Sequence, residues 1–309
     1  MRDEGIIGFD DMKNETAAVV VTHNRKELLK NSIECLLSQS IPCDVFVFDN
    51  ASNDGTEELV GKYIGERVYY YNTGANLGAS GGFELGIKKA AERGYKFIWV
   101  MDDDTWPTQN ALEELLNADK ILNGNWGCLS SVAYWTDGSI CRMNIQKKSI
   151  FKHVKSKDYC HPLYPIKMCS FVSLLTKTQV IKDIGLPIGE YFIWTTDYEF
   201  SGRISMKYPC YMVPSSRVIH AMKNHMRVNF AKDDASRLNR YNYIYRNDVH
   251  CYRQYGVYGW IYLILKDLYT CFDIILHSDG DRMKKIRVVY KGFKEGIAFH
   301  PDIKRVEIE

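Results

Sequence analysis

The first regular pattern is Ala17-Ala18-Val19-Val20-Val21, a short apolar and mostly β-branched run that reads as a buried strand of a parallel sheet. A helix is expected at once after it. Asn24 with Glu27 three residues later has the form of a capping box, with Asn in place of Ser or Thr, and Leu28, Leu29, Ile33, Leu36 and Leu37 recur on one helical face until Pro42. A second unit starts at Val45–Phe48, breaks at Asp49–Gly55 and continues into a helix through Leu59, Val60 and Tyr63. Further strands are predicted at Val68–Tyr71 and Lys96–Met101, and others near Cys128–Ala133 and Phe171–Thr176. Strands alternating with helices predict an α/β, Rossmann-like fold, a mostly parallel sheet with helices on both faces that binds ligands beyond the carboxyl ends of its strands.

Those ends are polar, glycine-rich or acidic. They carry Thr22-His23-Asn24-Arg25, Asp49-Asn50, the stretch Asn72–Gly82 and the triplet Asp102-Asp103-Asp104. Asp102 and Asp104, where an apolar strand stops, can offer oxygen atoms to one hard divalent cation and through it to a diphosphate. The bland alternative is a solvated turn, closed by Trp106-Pro107, ahead of a helix that begins after Pro107. The position at the end of a central strand favours chemistry.

Beyond residue 120 the periodicity blurs, and 147–157 reads as a basic loop. From Asp234 onward helical patterns dominate, which divides the chain into a sheet-bearing domain, 1–233, and a helical region, 234–309. Its apolar segment Val257–Leu276 contains Lys266, Asp267 and Asp273, too many charges for a spanning helix. With the basic tail Arg282–Lys294 it reads either as a helix pair lying on an anionic membrane surface or as a subdomain packed on the main sheet or a second subunit of a homo-oligomer.

Composition narrows the classes. With 46% hydrophobic and 25% charged residues in 309, and a formal charge of +2, the chain is an ordinary globular protein without the positive field that general nucleic-acid binding needs. Met1–Asn14 holds no apolar run that would read as a secretory signal, so a cytoplasmic protein is expected. Nine cysteines without a CxxC pair point to reduced, packed thiols and away from cysteine-bound zinc.

Four motifs in order give the chain from Val19 to about His220 a resemblance to family 2 glycosyltransferases of the GT-A fold. They are Val-Val-Thr-His-Asn-Arg at 20–25, Phe-Asp-Asn-Ala-Ser-Asn-Asp-Gly-Thr at 48–56, Asn-Leu-Gly-Ala-Ser-Gly-Gly-Phe at 76–83 and Met-Asp-Asp-Asp-Thr-Trp-Pro at 101–107. The Gly-Gly-Phe and Asp-Asp-Asp forms look most like galactofuranosyltransferases, with rhamnosyltransferases as close relatives. The resemblance implies an inverting enzyme that moves a sugar from a nucleotide-diphosphate donor to a glycan or lipid-linked glycan. UDP-galactofuranose is the donor favoured and dTDP-rhamnose the alternative. The cytoplasmic character and the amphipathic basic tail suggest work at the inner face of the plasma membrane on a lipid-linked precursor of a capsule or similar surface polysaccharide.

The resemblance also assigns roles. Asp49 would accept from the uracil edge, and Thr22, Asn24 and Arg25 would line the nucleotide pocket, Asn24 serving as helix cap as well or instead. Asn76 and its glycines would let backbone approach the donor, the alternative being a turn that merely needs positive φ. Asp102 and Asp104 would hold Mn²⁺ or Mg²⁺ against the phosphates. The catalytic base is Asp197 or Glu199 in Tyr191–Phe200, Asp197 matching better although Thr196 stands where many relatives have a second acid; alternatively these acids pair with Arg203 to pin a helix start. His220 would complete the metal shell, with His225 as runner-up. Trp194 is either the floor under the acceptor sugar or a core tryptophan, and Tyr241–Asn247 resembles a segment that follows the catalytic domain, without an assignable role.

Two rivals remain. A nucleotidyltransferase would carry a glycine-rich loop with a phosphate-binding Lys near the first strand, which Thr22–Lys26 lacks. A non-catalytic nucleotide-sugar or carbohydrate-binding module would have no need for a metal pair, a base and a nucleotide pocket together.

Overall fold

The computed structural model describes residues 14–65, 67–222, 230–233, 238–278 and 280–306. It opens with the expected alternation: β1 (Thr16–Thr22), α1 (Lys26–Leu37), β2 (Asp44–Asp49), α2 (Thr56–Gly61), β3 (Val68–Asn72), α3 (Gly78–Glu92) and β4 (Phe97–Asp102). These four strands lie in the order β3-β2-β1-β4, all parallel. Every residue of β1 is buried, because alternate side chains enter two different cores. Val19 and Val21 pack with Phe83 and Ile87 of α3, whereas Ala18 and Val20 pack with Leu29 and Ile33 of α1. A continuous apolar run is what such a doubly covered strand requires.

The remainder of the domain is β5 (Thr105–Pro107), α4 (Ala111–Ile121), β6 (Cys128–Tyr134), β7 (Lys147–Ser149), β8 (Lys152–His153), β9 (Tyr164–Ile166), β10 (Leu174–Lys177), α5 (Thr178–Ile184), α6 (Thr196–Lys207) and β11 (Cys210–His220). The sheet continues from β4 as β10-β6-β11-β5, with β9 also on β11. β10 runs antiparallel to both its neighbours, so the sheet is mixed but mostly parallel.

Three expectations need correction. Asn24 does not cap α1: it sits at φ 55° and its side-chain carbonyl accepts from Asn53 N–H at 2.8 Å, while Asp54 Oδ2 accepts from Lys26 N–H at 3.1 Å. The helix entrance is thus capped from the next loop, and Asn is a residue that tolerates the left-handed region. Trp106-Pro107 is not a closing turn but part of β5, paired with β11. The basic stretch 147–157 is not all loop, since β7 and β8 form a hairpin within it.

The helical region is α7 (Leu238–Arg253), α8 (Gly256–His277) and α9 (Arg282–Ala298). No described helix is long and apolar enough to cross a membrane. Lys266 of α8 is ion-paired to Asp248 of α7 rather than solvated. Residues after α9 return to the sheet domain, where Leu186 N–H donates to Lys304 O at 2.8 Å and Lys304 Nζ to Glu84 at 2.7 Å. The nine cysteines are all unpaired and six are buried, as expected of packed thiols.

Candidate active site

The acidic triplet leaves β4 at the carboxyl edge of the sheet, and strand pairing supplies its partner. Antiparallel β5 and β11 align Thr105 with His220, and Ala221 N–H donates to Asp104 O at 2.8 Å, so His220 is fixed beside Asp104. Asp102, Asp104 and His220 each offer one ligand atom, all within 4.8 Å of one another. His220 Nδ1 lies 2.8 Å from Asn144 Oδ1. Because that oxygen can only accept, a proton belongs on Nδ1, and Nε2 lies 3.0 Å from Asp104 Oδ1, to which the protonated ring donates. Asp104 Oδ1 is buried and has no hydrogen-bond partner besides that nitrogen. A buried carboxylate oxygen and an imidazole nitrogen that meet only each other, with a second carboxylate alongside, are a donor set that fits Mn²⁺ or Mg²⁺ in place of the shared proton.

The electrostatics agree. Burial, helped by Asp104, pushes the Asp102 carboxyl up to about 7, and burial outweighs Arg25 to lift Asp103 to about 6. Burial would also raise Asp104, but His220 and Arg25 more than offset it and hold this carboxyl below its usual range. Burial would depress the His220 imidazole, yet Asp104 and Asp102 raise it to about 10. A cluster that draws a proton this strongly is one that a cation would neutralise.

Residues expected around the nucleotide divide into two sets. Thr22 Oγ1 donates to Asp103 Oδ2 at 2.8 Å, and Arg25 Nη1 donates to Asp103 Oδ1 at 3.2 Å and Asp104 Oδ2 at 3.0 Å. These two hold the acidic loop. Asp103, to which sequence reasoning gave no role, is the strut between β1 and that loop. Asp49 is fully buried at the end of β2 and accepts from Ser52 N–H at 2.9 Å and Tyr70 OH at 2.7 Å. Asn76 is exposed, and its Oδ1 accepts from Gly78 N–H at 2.9 Å.

The glycines of this motif meet protein. Gly78, at φ 70°, lies against Phe192, and a Cβ on Gly82 would fall 2.5 Å from Val21 Cγ1. Their lack of side chains lets α3 press on β1 and on the loop before α6.

That loop presents the candidate base. Asp197 stands in the first turn of α6, half-buried, and burial lifts its carboxyl to about 6. Its charge reaches Asp102. Glu199 points elsewhere: Arg203 Nε donates to its Oε1 at 2.7 Å and Nη2 to its Oε2 at 3.0 Å, in a pair whose carboxylate is 1% exposed. Glu199 is therefore committed to an ion pair, whereas the Asp197 carboxylate accepts from Tyr198 N–H at 2.9 Å. Trp194 is half-buried with its ring centroid 5.2 Å from that of Tyr241, packed against the helical region. His225 lies outside the described residues.

Comparison with known proteins now has a geometry to attach to. Residues 17–157 match the family described as Glycosyl transferase family 2. Over this segment, a little under half of its length, the chain is similar to the family 2 glycosyltransferases. The galactofuranosyltransferase GlfT1 of Mycolicibacterium smegmatis is 40% identical over 98 residues, which is 31% of this chain and 32% of that one. The chain thus aligns with about a third of the length of the curated relatives it matches. Among solved structures, GalNAc-T7 with UDP, GalNAc and Mn²⁺ superposes with a TM-score of 0.61 at 14% identity, covering 92% of this chain and 56% of the other. Mannosyltransferase PcManGT from Pyrobaculum calidifontis, with GDP-Man and Mn²⁺, gives 0.57 at 13% identity, covering 92% and 87%. At such identities the likeness is one of fold. The family match contains the acidic loop and the nucleotide-side turns but neither Asp197 nor His220, which rest on geometry.

Proposed function

We propose that this glycosyltransferase is a metal-dependent, inverting enzyme, and that it moves galactofuranose from UDP-galactofuranose to a glycan hydroxyl. The observation that carries the reading is the meeting of Asp102, Asp104 and His220 at the sheet edge with Asp197 in electrostatic reach. Asp102, Asp104 and His220 would hold Mn²⁺ or Mg²⁺, which when bound neutralises charge on the departing diphosphate. Arg25 and Thr22 keep the acidic loop in place by bonds to Asp103 and Asp104. Asp197 accepts the proton of the acceptor hydroxyl as its oxygen bonds to the anomeric carbon; the bond from that carbon to the diphosphate breaks, and its electron pair leaves with the UDP. A carboxyl lifted to about 6 is a better proton acceptor near neutrality than an ordinary aspartate, yet still ionised there. Galactofuranose is favoured because the relatives that share this segment are galactofuranosyltransferases.

The acceptor we take to be lipid-linked. The outer face of α8 exposes Val257, Ile261, Leu265, Leu268 and Phe272 in one stripe, and α9 exposes Arg282, Arg287 and Lys294. An apolar face with flanking cations suits an anionic membrane surface. Co-sedimentation with phosphatidylglycerol vesicles, lost in Leu265→Glu/Leu268→Glu, is expected; binding that survives the double change refutes the membrane assignment.

The test of the reaction is a donor panel of UDP-galactofuranose, UDP-galactopyranose, UDP-glucose and dTDP-rhamnose with Mn²⁺. Release of UDP from UDP-galactofuranose, abolished by EDTA, is expected. Turnover indifferent to EDTA, or turnover of another donor only, rejects the corresponding half of the proposal.

A further inference from the structure

The loop between Tyr191 and α6 holds Phe192, Trp194 and Thr195 at φ 62°, 65° and 65°. Three non-glycine residues within four positions in the left-handed region do not stay there unaided, since side chains crowd the backbone in that conformation. The restraint comes largely from the helical region.

Asn247 of α7 is fully buried, and its side-chain Nδ2 donates to Tyr191 O at 3.0 Å, Ile193 O at 3.0 Å and Trp194 O at 3.2 Å. Its Oδ1 accepts from Arg246 Nε at 3.0 Å and Nη2 at 2.9 Å, and Arg246 Nη2 also reaches Glu190 O at 2.7 Å. The amide is therefore locked with its donors towards the loop. Asp248, the next residue, accepts from Thr195 Oγ1 at 2.7 Å through Oδ1 and is ion-paired to Lys266 of α8 through Oδ2. Thr195 is the residue from which α6 starts, its carbonyl receiving Glu199 N–H at 2.8 Å, and Asp197 is two residues on.

We infer that Asn247 and Asp248 are positioning residues for the candidate base, so that the helical region is part of the transfer machinery through its hold on the Tyr191–Thr195 loop. The inference rests on the reading of Asp197 as base. Asn247 and Asp248 are buried and act through the loop: they fix the direction in which α6 begins and thereby the place of the Asp197 carboxylate. Without the amide, the carbonyls of Tyr191, Ile193 and Trp194 lose the two N–H donors they share, and the left-handed residues can relax towards ordinary backbone. A displacement of about 1 Å at a reacting group is worth on the order of 100-fold in rate.

The experiment compares Asn247→Ala and Thr195→Val with Val249→Ala, a fully buried α7 residue that packs on α9 and not on the loop. Asn247→Ala is expected to lower kcat on the order of 100-fold and Thr195→Val less, with the Kd for UDP in Mn²⁺ and the donor KM within twofold of wild type. Val249→Ala should lose thermal stability without that fall in kcat. Hydrogen exchange reads the same claim without turnover: amides of 192–199 should exchange faster in Asn247→Ala while those of β1 and β4 are unchanged. Unaltered exchange in that loop, or a kcat loss in Asn247→Ala no larger than in Val249→Ala, overturns the inference. If the wild type turns over no donor while Asn247→Ala still shows the faster exchange, the base assignment is refuted and the restraint itself is established.

Discussion

Replacing Gly78 with alanine separates what the glycine-rich motif does in this fold from what a donor-approach role would require. Gly78 has φ 70°, where an alanine costs roughly 1–2 kcal/mol. Its Cβ would lie 2.7 Å from the Phe192 carbonyl carbon and from the ring Cδ2, and closer still to the carbonyl oxygen. That carbonyl cannot swing aside freely, because Phe192 is itself left-handed and its oxygen accepts from Ser80 N–H at 3.1 Å. Overpacking of this kind costs about 1–3 kcal/mol. Together the two effects come to about 2–5 kcal/mol. Gly74 supplies the control from the same motif: its φ is 74° but nothing lies within 4 Å of its would-be Cβ, so Gly74→Ala should show the backbone cost alone. Urea unfolding of the two variants measures the difference, and single-turnover kinetics shows whether the Gly78 variant also loses chemistry as the Phe192–Thr195 loop is displaced. Equal destabilisation by the two changes, or a Gly78 variant of normal stability with only a raised donor KM, would show that the glycine faces the donor and that the packing argument is wrong.

Further outcomes follow from the site. Asn144→Leu removes the acceptor that keeps the His220 proton on Nδ1, so Mn²⁺ affinity measured by calorimetry should fall about 10- to 100-fold; unchanged affinity would mean that Asn144 does not set the ring. Asp197→Asn should leave UDP and Mn²⁺ binding intact and remove transfer. In the wild type the acid limb of kcat/KM should fall near pH 6, because below that value the Asp197 carboxyl holds its proton and cannot accept another. A profile flat from pH 5 to 7 would take Asp197 out of the role. His250 is held near 4 by burial, its neutral ring hydrogen-bonded through Nδ1 to Tyr191 OH at 2.7 Å. Its unfolded form binds a proton from about pH 6.5 downward while the folded form does not, so the stability it confers is complete above that pH and shrinks on acidification. Between pH 7 and 5 the loss is about 2 kcal/mol, and it should be absent from the same titration of His250→Gln followed by urea midpoints.

The parts of this molecule that could be read from sequence are those governed by short-range burial. β1 and β4 announce themselves because both faces are covered and apolar residues run without a break. The acidic triplet could be placed because it stops such a run. What escaped depends on pairings across long stretches of chain. The cap of α1 comes from Asp54, 28 residues after Lys26, so the local Asn24–Glu27 pattern pointed to the wrong donor–acceptor pair. His220 is brought to Asp104 by β5 and β11, and β5 is three residues containing a proline, too short to register as a strand. Asn144 ends a single 3-10 turn, Arg142–Asn144, between β6 and β7, too short to give a periodic signal. The resemblance of Tyr241–Asn247 to a family segment was the one available sign of Asn247, and only the loop it faces gives that sign a meaning.

The nucleotide side and the acceptor side of the site share one mechanical frame. Asn50 at the end of β2 donates to Gly78 O at 2.9 Å; two residues on, Ser80 N–H holds Phe192 O, and the Ser80 hydroxyl is bonded to that of Thr196, the first residue of α6. From the other side Asn247 and Asp248 close on the same loop. Ser80, Thr196, Asn247 and Asp248 are all buried, so water cannot substitute for a lost partner without rearrangement. On the proposed reading, a base on a helix and a nucleotide pocket on strand ends are kept in register by one short loop held in a conformation it would not choose. Rigidity there would be worth its conformational strain, because an inverting transfer depends on the distance between leaving group and proton acceptor.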